Sequence, residues 1–255
     1  MASRGAPLFA RLEDVSVTFS DRVVLRNCTL PIVEHAITCI VGLSGAGKST
    51  ILRLLDGLLK PDAGHVYVDD LDICHISERD LFRVRRSISL SFQFAALLDS
   101  LSLGDNVSLP LRENTTMPER EIHKRVTDAL DSVGLTYAYN NLPAELSGGM
   151  LKRAGFARAI VTGPQLVLYD EPTTGLDPIS VHLITQTIMR LREKSNGTAV
   201  VTSHDLPSIF MMADYMAMLF EGAIIAYGNV DEVRKSENPI VQQFLQGAEA
   251  GPIPL

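Results

Sequence analysis

The sequence predicts an α/β protein with a mixed, mainly parallel core sheet, an antiparallel β subdomain and a helical lobe. Two observations support this fold class. Short apolar, β-rich runs at 37–41, 166–169 and 198–202 are typical of buried parallel strands, and helical patterns lie between them. Residues 8–40 instead read as short β segments, and residues 93–145 read as helical. The chain therefore combines a strand-helix-strand core with two attached parts.

Local signals define the remaining elements in order. Ser77 and Asp80 form a variant of a capping box that starts a helix, and a second helix starts near Glu119 and ends at Gly134. A third helix packs Val181, Ile184, Ile188 and Leu191 on the sheet. We expect a hairpin turning near 221–222, two short helices within 230–246, and a small, Pro-rich tail at 247–255. The tail is either frayed or a strap to a neighbouring subunit.

Composition limits the classes of function. The 255 residues are 46% hydrophobic, which allows one domain with a large core. The net charge of −7 argues against a nucleic-acid partner. No apolar stretch reaches the roughly 18–20 residues of a membrane span, and residues 1–7 lack the apolar core of a secretory signal. Cys28, Cys39 and Cys74 lack metal-site spacing and fit a reducing compartment.

A glycine-rich loop follows the strand at 37–41 and precedes a helical pattern. Its glycines let successive N–H groups point at phosphate oxygens, and the positive end of the new helix faces the same phosphates. Lys48 is placed for the β- and γ-phosphates, and the Ser49 hydroxyl is placed for Mg²⁺. A chance match is disfavoured by this strand-loop-helix context. The predicted nucleotide-binding residues of this loop are Gly42, Ser44, Gly45, Ala46, Gly47, Lys48, Ser49 and Thr50.

Two acidic residues end the strand at 166–169. Ligands bind at the carboxyl ends of strands in an open α/β sheet, so Asp170 is expected to meet the Mg²⁺ held by Ser49. Glu171 is then placed to polarise the attacking water. Alone, two acids before Pro172 would be read as a turn. The phosphate loop upstream makes phosphoryl transfer the favoured interpretation.

Four further motifs occur in a fixed order. Gln93 follows the β-like run at 88–92, and Ser147-Gly148-Gly149 opens a helix as an N-cap with two exposed N–H groups. Gly175-Leu176-Asp177 and Ser203-His204-Asp205 come later. Each alone has a structural interpretation: a surface glutamine, a cap, a structural histidine. Their joint order and spacing indicate a functional set.

This order resembles the ATP-binding subunits of ABC transporters, over roughly residues 8–246. The resemblance implies a P-loop NTPase fold, with a single ABC ATPase domain at 8–246 and a helical lobe at about 93–160 inserted in a RecA-like core. It implies ATP and Mg²⁺ as cofactors and a homodimer that hydrolyses ATP. The resemblance also gives residue roles. It implies that the metal is bound by Gln93 and Asp170, and that catalysis depends on Glu171, His204, Lys48 and Gln93. It further implies that the γ-phosphate of the facing copy is contacted by Ser147, Gly148 and Gly149, that Asp177 lies across the dimer interface, and that Phe19 lies against adenine. A lone Phe in a strand is otherwise more often a core residue.

Departures from the wider family indicate a branch. Met150 stands where most ABC subunits have glutamine. The chain here resembles the MlaF-type ATPases of Mce-type phospholipid transport, and the resemblance extends to Lys152-Arg153, the stretches 92–98 and 105–113, and the tail. This implies an MlaE-like integral membrane permease, an Mce-domain protein and a small STAS-domain regulator as partners, at the cytoplasmic face of the inner membrane. An ABC ATPase for a different cargo, or a non-transport ABC switch, is the alternative.

Overall fold

The computed structural model describes residues 6–92 and 96–253. Within them the chain forms two β-sheets and a set of helices. The strands are β1 (Leu8–Phe19), β2 (Arg22–Val33), β3 (Ile37–Val41), β4 (Ala63–Val68), β5 (Leu71–Asp72), β6 (Ile88–Ser91), β7 (Leu166–Asp170), β8 (Thr198–Ser203), β9 (Tyr215–Phe220) and β10 (Ala223–Asn229). The α-helices are α1 (Lys48–Leu55), α2 (Glu78–Arg85), α3 (Leu103–Asn114), α4 (Glu119–Ser132), α5 (Gly148–Ile160), α6 (Pro178–Ser195), α7 (Leu206–Met212), α8 (Val230–Arg234) and α9 (Pro239–Gln246).

The core sheet has six strands in the order β10-β9-β3-β8-β7-β6. Strands β3, β6, β7, β8 and β9 are parallel, and β10 is antiparallel to β9. Parallel pairing needs crossover connections, which α1, α5 and α6 help to provide. The carboxyl ends of β3, β7 and β8 therefore lie at one edge, where the phosphate loop also begins. The predicted α/β fold class is confirmed.

A second, antiparallel sheet has the order β2-β1-β4-β5. Strands β1 and β2 are 12 residues long, so the expectation of only short β segments over 8–40 is wrong. Shifts in the β1–β2 register mark bulges, which interrupt the alternation of apolar and polar residues. This interruption made each long strand look like several short ones in the sequence.

The core sheet separates two apolar layers. Along β3, the side chains of Cys39 and Val41 face the layer that contains α3, α4 and α5. Ile40 faces the opposite layer, with α1 and the antiparallel sheet. Because neighbouring strand residues point to opposite faces, one buried strand supports both layers. All five β3 residues are accordingly buried, and the phosphate loop leaves from a rigid support.

Several helix ends and turns lie where the sequence analysis predicted them. The Ser77 side chain accepts a hydrogen bond from the Asp80 N–H at the start of α2. Helix α4 buries Ile122, Val126, Ala129 and Leu130 and is followed by Gly134 at a φ of 68°. Residues 215–229 form the predicted hairpin, and residues 230–246 hold two short helices.

The described part of the tail folds back onto α9. The Gln243 side-chain amide accepts from the Ile253 N–H at 2.6 Å and donates to the carbonyl oxygens of Ile253 and Ala248. Ile253 is 5% exposed and belongs to the apolar core. The frayed alternative is therefore wrong up to residue 253, because a buried isoleucine and three hydrogen bonds hold the segment. Among the described residues, no helix has both the length and the apolar character needed to span a membrane.

Candidate active site

The loop between β3 and α1 forms a backbone cradle. Gly47 precedes α1 with a φ of 106°, in a left-handed conformation that a side chain rarely tolerates. Gly42 has a φ of 154°, and a Cβ added there would lie 2.3 Å from the Leu219 carbonyl oxygen on β9. The loop therefore packs against the sheet so closely that only glycine fits at Gly42. The loop backbone is thereby held at the helix N-terminus, where N–H groups can surround a phosphate, while the Ala46 N–H donates to the Leu43 carbonyl oxygen at 3.2 Å.

Lys48 is the buried cation of this loop, with 6% of the residue exposed. Its Nζ donates to the carbonyl oxygens of Gly42 and Leu43 at 3.0 and 3.1 Å. It also lies 3.1 Å from Oε1 of Glu171, which comes from the end of β7. A buried ammonium requires such partners, and a phosphate would be a further one.

Ser49 and Asp170 meet across the edge of the sheet. The Ser49 hydroxyl donates to Asp170 Oδ1 at 2.9 Å, and the Thr202 hydroxyl donates to the same oxygen at 2.8 Å. Asp170 and Thr202 are paired residues of the parallel strands β7 and β8. Hydroxyl and carboxylate oxygens are the hard ligands that Mg²⁺ prefers, usually one or two of them together with phosphate oxygens. The donor set therefore fits Mg²⁺.

Glu171 is the centre of a hydrogen-bonded network. Its side chain lies 2.9 Å from His204 Nδ1, accepts from the Thr174 hydroxyl at 3.1 Å and pairs with Lys48. Its backbone has a φ of 46°, in the left-handed region, and its N–H donates to both the hydroxyl and the carbonyl oxygen of Thr202. Such strained backbone persists where surrounding contacts determine it. The network fixes the carboxylate beside the phosphate loop.

Lys152 adds a contact to this network that the sequence did not assign. Its Nζ lies 3.3 Å from the Glu171 carbonyl oxygen. Partial burial lowers the pKa of Lys152, and the nearby Glu171 opposes that shift. Thr174 and Thr202 were likewise missed as partners of Glu171 and Asp170. A signal for Thr202 existed, because it lies one residue before the end of β8, but the neighbouring position of β7 and β8 had to be known to use it.

The Ser147 motif begins α5 as predicted locally. The Ser147 hydroxyl accepts from the Met150 N–H at 3.3 Å; Gly148 is exposed and Gly149 is half-buried. A Cβ on Gly149 would lie 3.4 Å from Ser180 Oγ, so this helix end lies beside the start of α6. The motif thus presents an exposed helix N-terminus, with no contact to Lys48 among the hydrogen bonds of the described residues.

Asp177 is the N-cap of α6. Its carboxylate accepts from the N–H groups of Ile179 and Ser180 and from the Ser180 hydroxyl. The Ser180 hydrogen bonds hold the pKa of Asp177 below its usual value. The neighbouring Ile179 is 83% exposed, so an apolar side chain projects into solvent at the start of α6. Asp177, which is expected at the dimer interface, therefore lies next to an exposed apolar residue.

The remaining predicted residues lie around the phosphate loop, except one that falls outside the described residues. Ser44, Gly45 and Ala46 line a cleft with β2 and the β9–β10 turn. Phe19 ends β1 and is 44% exposed, so it is not a core residue. Thr50 is buried in the first turn of α1. Gln93 lies outside the described residues.

The chain is similar to known ATP-binding proteins of transport systems. Residues 25–174 match the family described as ABC transporter. The chain is 42% identical over 244 residues to the intermembrane phospholipid transport system ATP-binding protein MlaF of Haemophilus influenzae, covering 95% of this chain and 92% of that protein. It is 37% identical over 254 residues to the probable ribonucleotide transport ATP-binding protein mkl of Mycobacterium bovis, covering 99% of this chain and 71% of that protein.

Solved structures agree with the fold. A dimeric ATP-binding cassette, MJ0796, in a post-hydrolysis state with ADP and Pi, matches with a TM-score of 0.79 at 30% identity, covering 87% of this chain and 98% of that chain. The CbiO1 subunit of an ABC transporter complex from Clostridium perfringens matches with a TM-score of 0.83 at 29% identity, covering 94% and 95%.

Proposed function

This chain belongs to the ABC transporter family, and we propose that it is the ATP-hydrolysing subunit of an Mce/Mla-type complex that transports phospholipid between membranes. The observation that carries the proposal is the 42% identity, over 95% of the chain, to an ATP-binding protein of intermembrane phospholipid transport. Met150 after Ser147-Gly148-Gly149 supports it from the sequence. The described site supports the chemistry.

The nucleotide is proposed to bind along the phosphate loop. The loop N–H groups and the positive end of α1 attract the phosphates, and Lys48 pairs with the β- and γ-phosphates. Phe19, exposed at the end of β1, is free to stack on adenine. The residues that would contact the nucleotide are Phe19, Gly42, Ser44, Gly45, Ala46, Gly47, Lys48, Ser49 and Thr50.

Ser49 and Asp170 would hold Mg²⁺, with Gln93 as a further ligand from the segment outside the described residues. When bound, the metal neutralises charge on the β- and γ-phosphates. The hydroxyl and carboxylate oxygens already lie 2.9 Å apart, so small adjustments of two side chains suffice to hold it.

Hydrolysis is proposed to depend on Glu171 and His204. Glu171 would orient and polarise the attacking water, while His204, 2.9 Å from that carboxylate, would contact the γ-phosphate. Lys48 would exchange part of its contact with Glu171 for phosphate. The carboxylate is thereby released to the water as the nucleotide binds.

A second copy is proposed to complete the site. Ser147, Gly148 and Gly149 present N–H groups at an exposed helix end, which fits a γ-phosphate held by the facing copy. A two-fold dimer would make two such shared sites, with Asp177 at the interface. The dimeric solved relative supports this arrangement. Closure would bury the phosphates and transmit force to a membrane subunit.

The proposed partners are an MlaE-like integral membrane permease, an Mce-domain protein and a small STAS-domain regulator, and no nucleic acid. The permease would place the chain as a peripheral protein at the cytoplasmic face of the inner membrane. A different cargo is the second candidate, and it is favoured by the 37% identity to a probable ribonucleotide transport protein.

The test is a mild-detergent pull-down of tagged protein from native membranes, with mass spectrometry of bound proteins and lipids. Capture of an MlaE-like permease, an Mce-domain protein and phospholipid supports the proposal. A permease without an Mce-domain protein, and without enriched phospholipid, keeps the ATPase chemistry and contradicts the cargo.

A further inference from the structure

A cluster of two histidines and one carboxylate lies in the antiparallel sheet, apart from the nucleotide site. His65 belongs to β4, Asp72 ends β5, and His75 lies in the segment before α2. The Nδ1 atoms of His65 and His75 lie 2.8 and 2.9 Å from the same Asp72 oxygen, Oδ2. Within residues 6–92 and 96–253, no other group of three such side chains converges in this way.

The antiparallel pair of β4 and β5 and the turn after it hold this arrangement in place. The second Asp72 oxygen, Oδ1, accepts from the Cys74 N–H at 3.0 Å, so Oδ2 is directed to the histidines. Asp72 pairs with Tyr67 in the β4–β5 ladder, and the rings of His65 and His75 lie 5.6 Å apart. Hydrogen bonds that orient a ligating carboxylate are typical of metal sites.

The spacing is close to that of a metal site. All three potential ligand atoms lie within 4.8 Å of one another. In a tetrahedral zinc site with bonds of about 2.0–2.1 Å, neighbouring ligand atoms are about 3.3 Å apart. The nitrogen–oxygen distances therefore need to open by about half an ångström, which rotation of exposed side chains provides. The histidine side chains are 48% and 69% exposed, so an ion can enter from solvent.

We propose that His65, Asp72 and His75 form a binding site for a divalent transition-metal ion of the Zn²⁺ type. Two imidazoles and one carboxylate are a ligand set for zinc, whereas Mg²⁺ prefers oxygen ligands in an octahedral arrangement. Three protein ligands leave the fourth position to water. The bound ion joins β4 to the segment that leads into α2, and so fastens one edge of the antiparallel sheet.

The experiment uses the full chain without an affinity tag and without nucleotide. Zn²⁺ is titrated by equilibrium dialysis with elemental analysis, and Mg²⁺ serves as the comparison ion. The variants are His65→Ala, His75→Ala and the milder His75→Gln, which keeps a hydrogen-bonding side chain. His123→Ala, on α4 and outside the cluster, is the matched control. Cys74→Ser tests whether the neighbouring thiol binds the metal instead.

We expect one Zn²⁺ per chain, at least about tenfold weaker binding in each cluster variant, and unchanged binding in His123→Ala and Cys74→Ser. Zinc should also raise the Tm of the wild-type protein but not that of His65→Ala. Thermal melts without metal establish that each variant is folded. Absence of saturable Zn²⁺ binding overturns the proposal, and so does binding that survives the histidine variants or is lost in Cys74→Ser.

Discussion

Replacing Glu171 with glutamine changes one carboxylate oxygen into an amide nitrogen at the centre of the site. The side chain is 13% exposed and lies 3.1 Å from Lys48 Nζ and 2.9 Å from His204 Nδ1. Glutamine has nearly the same volume, so it keeps the packing and an acceptor oxygen. It removes the negative charge that would polarise water and pair with the lysine.

The expected size of the effect follows from these two losses. A positioned general base contributes about 10²–10⁴-fold to a rate, which is roughly 3–5 kcal/mol at about 1.4 kcal/mol per tenfold. We therefore expect the ATPase rate of Glu171→Gln to fall by at least about a hundredfold. Lys48 loses one of its partners at the same time. ATP binding should consequently be maintained or tightened, because less competition for the ammonium remains.

The assay combines steady-state ATP hydrolysis with light scattering in the presence of ATP. Glu171→Gln should accumulate as an ATP-bound dimer, whereas wild-type protein should return to monomer after turnover. Glu237→Gln, a change at an exposed acid on the segment between α8 and α9, is the control and should behave as wild type. A Glu171→Gln rate within tenfold of wild type, in folded protein, would refute the assignment of Glu171 as the base.

Three further predictions concern the loop and the core. Lys48→Ala should lose ATP binding by fluorescent-nucleotide titration, because its buried ammonium is proposed to pair with the phosphates; unchanged affinity would contradict the loop assignment. Gly42→Ala should lower the free energy of unfolding in urea by about 1–3 kcal/mol, since its Cβ meets the Leu219 carbonyl at 2.3 Å; equal stability would show that the loop can move aside. Burial raises the pKa of Asp56 from 3.8 to about 6. Ionisation of Asp56 therefore lowers the free energy of unfolding, and this loss is absent below pH 3.8 and complete above about pH 6. Asp56→Asn should therefore stabilise the protein by up to about 3 kcal/mol at pH 7.5 and not at pH 3.5, and an equal effect at both values would contradict the burial argument.

The sequence was sufficient for the fold class and for the geometry of the phosphate loop. Both depend on local order: a buried strand, a glycine loop and a helix must follow one another, and Gly47 takes the left-handed conformation that its position requires. Ser49 and Asp170 are 121 residues apart, yet both were expected beside one Mg²⁺ because strand ends of a parallel sheet share one edge. The catalytic and metal-binding roles of these residues remain predictions.

Contacts that depend on which elements pack side by side were not predictable from the sequence. Thr202 reaches Asp170 only because β8 lies beside β7, and Lys152 reaches Glu171 only through the packing of α5. The length of β1 was hidden by bulges, and the fold-back of the tail depends on one buried residue, Ile253, and its contacts with Gln243. The sequence pattern carries no distance information of this kind.

The most direct test of the proposed function is ATP-driven movement of phospholipid by the purified membrane complex in proteoliposomes. Labelled phospholipid should change its location with ATP in complexes carrying wild-type chain and should stay in place in complexes carrying Glu171→Gln. Phospholipid that stays in place while the wild-type complex hydrolyses ATP at full rate would contradict the account.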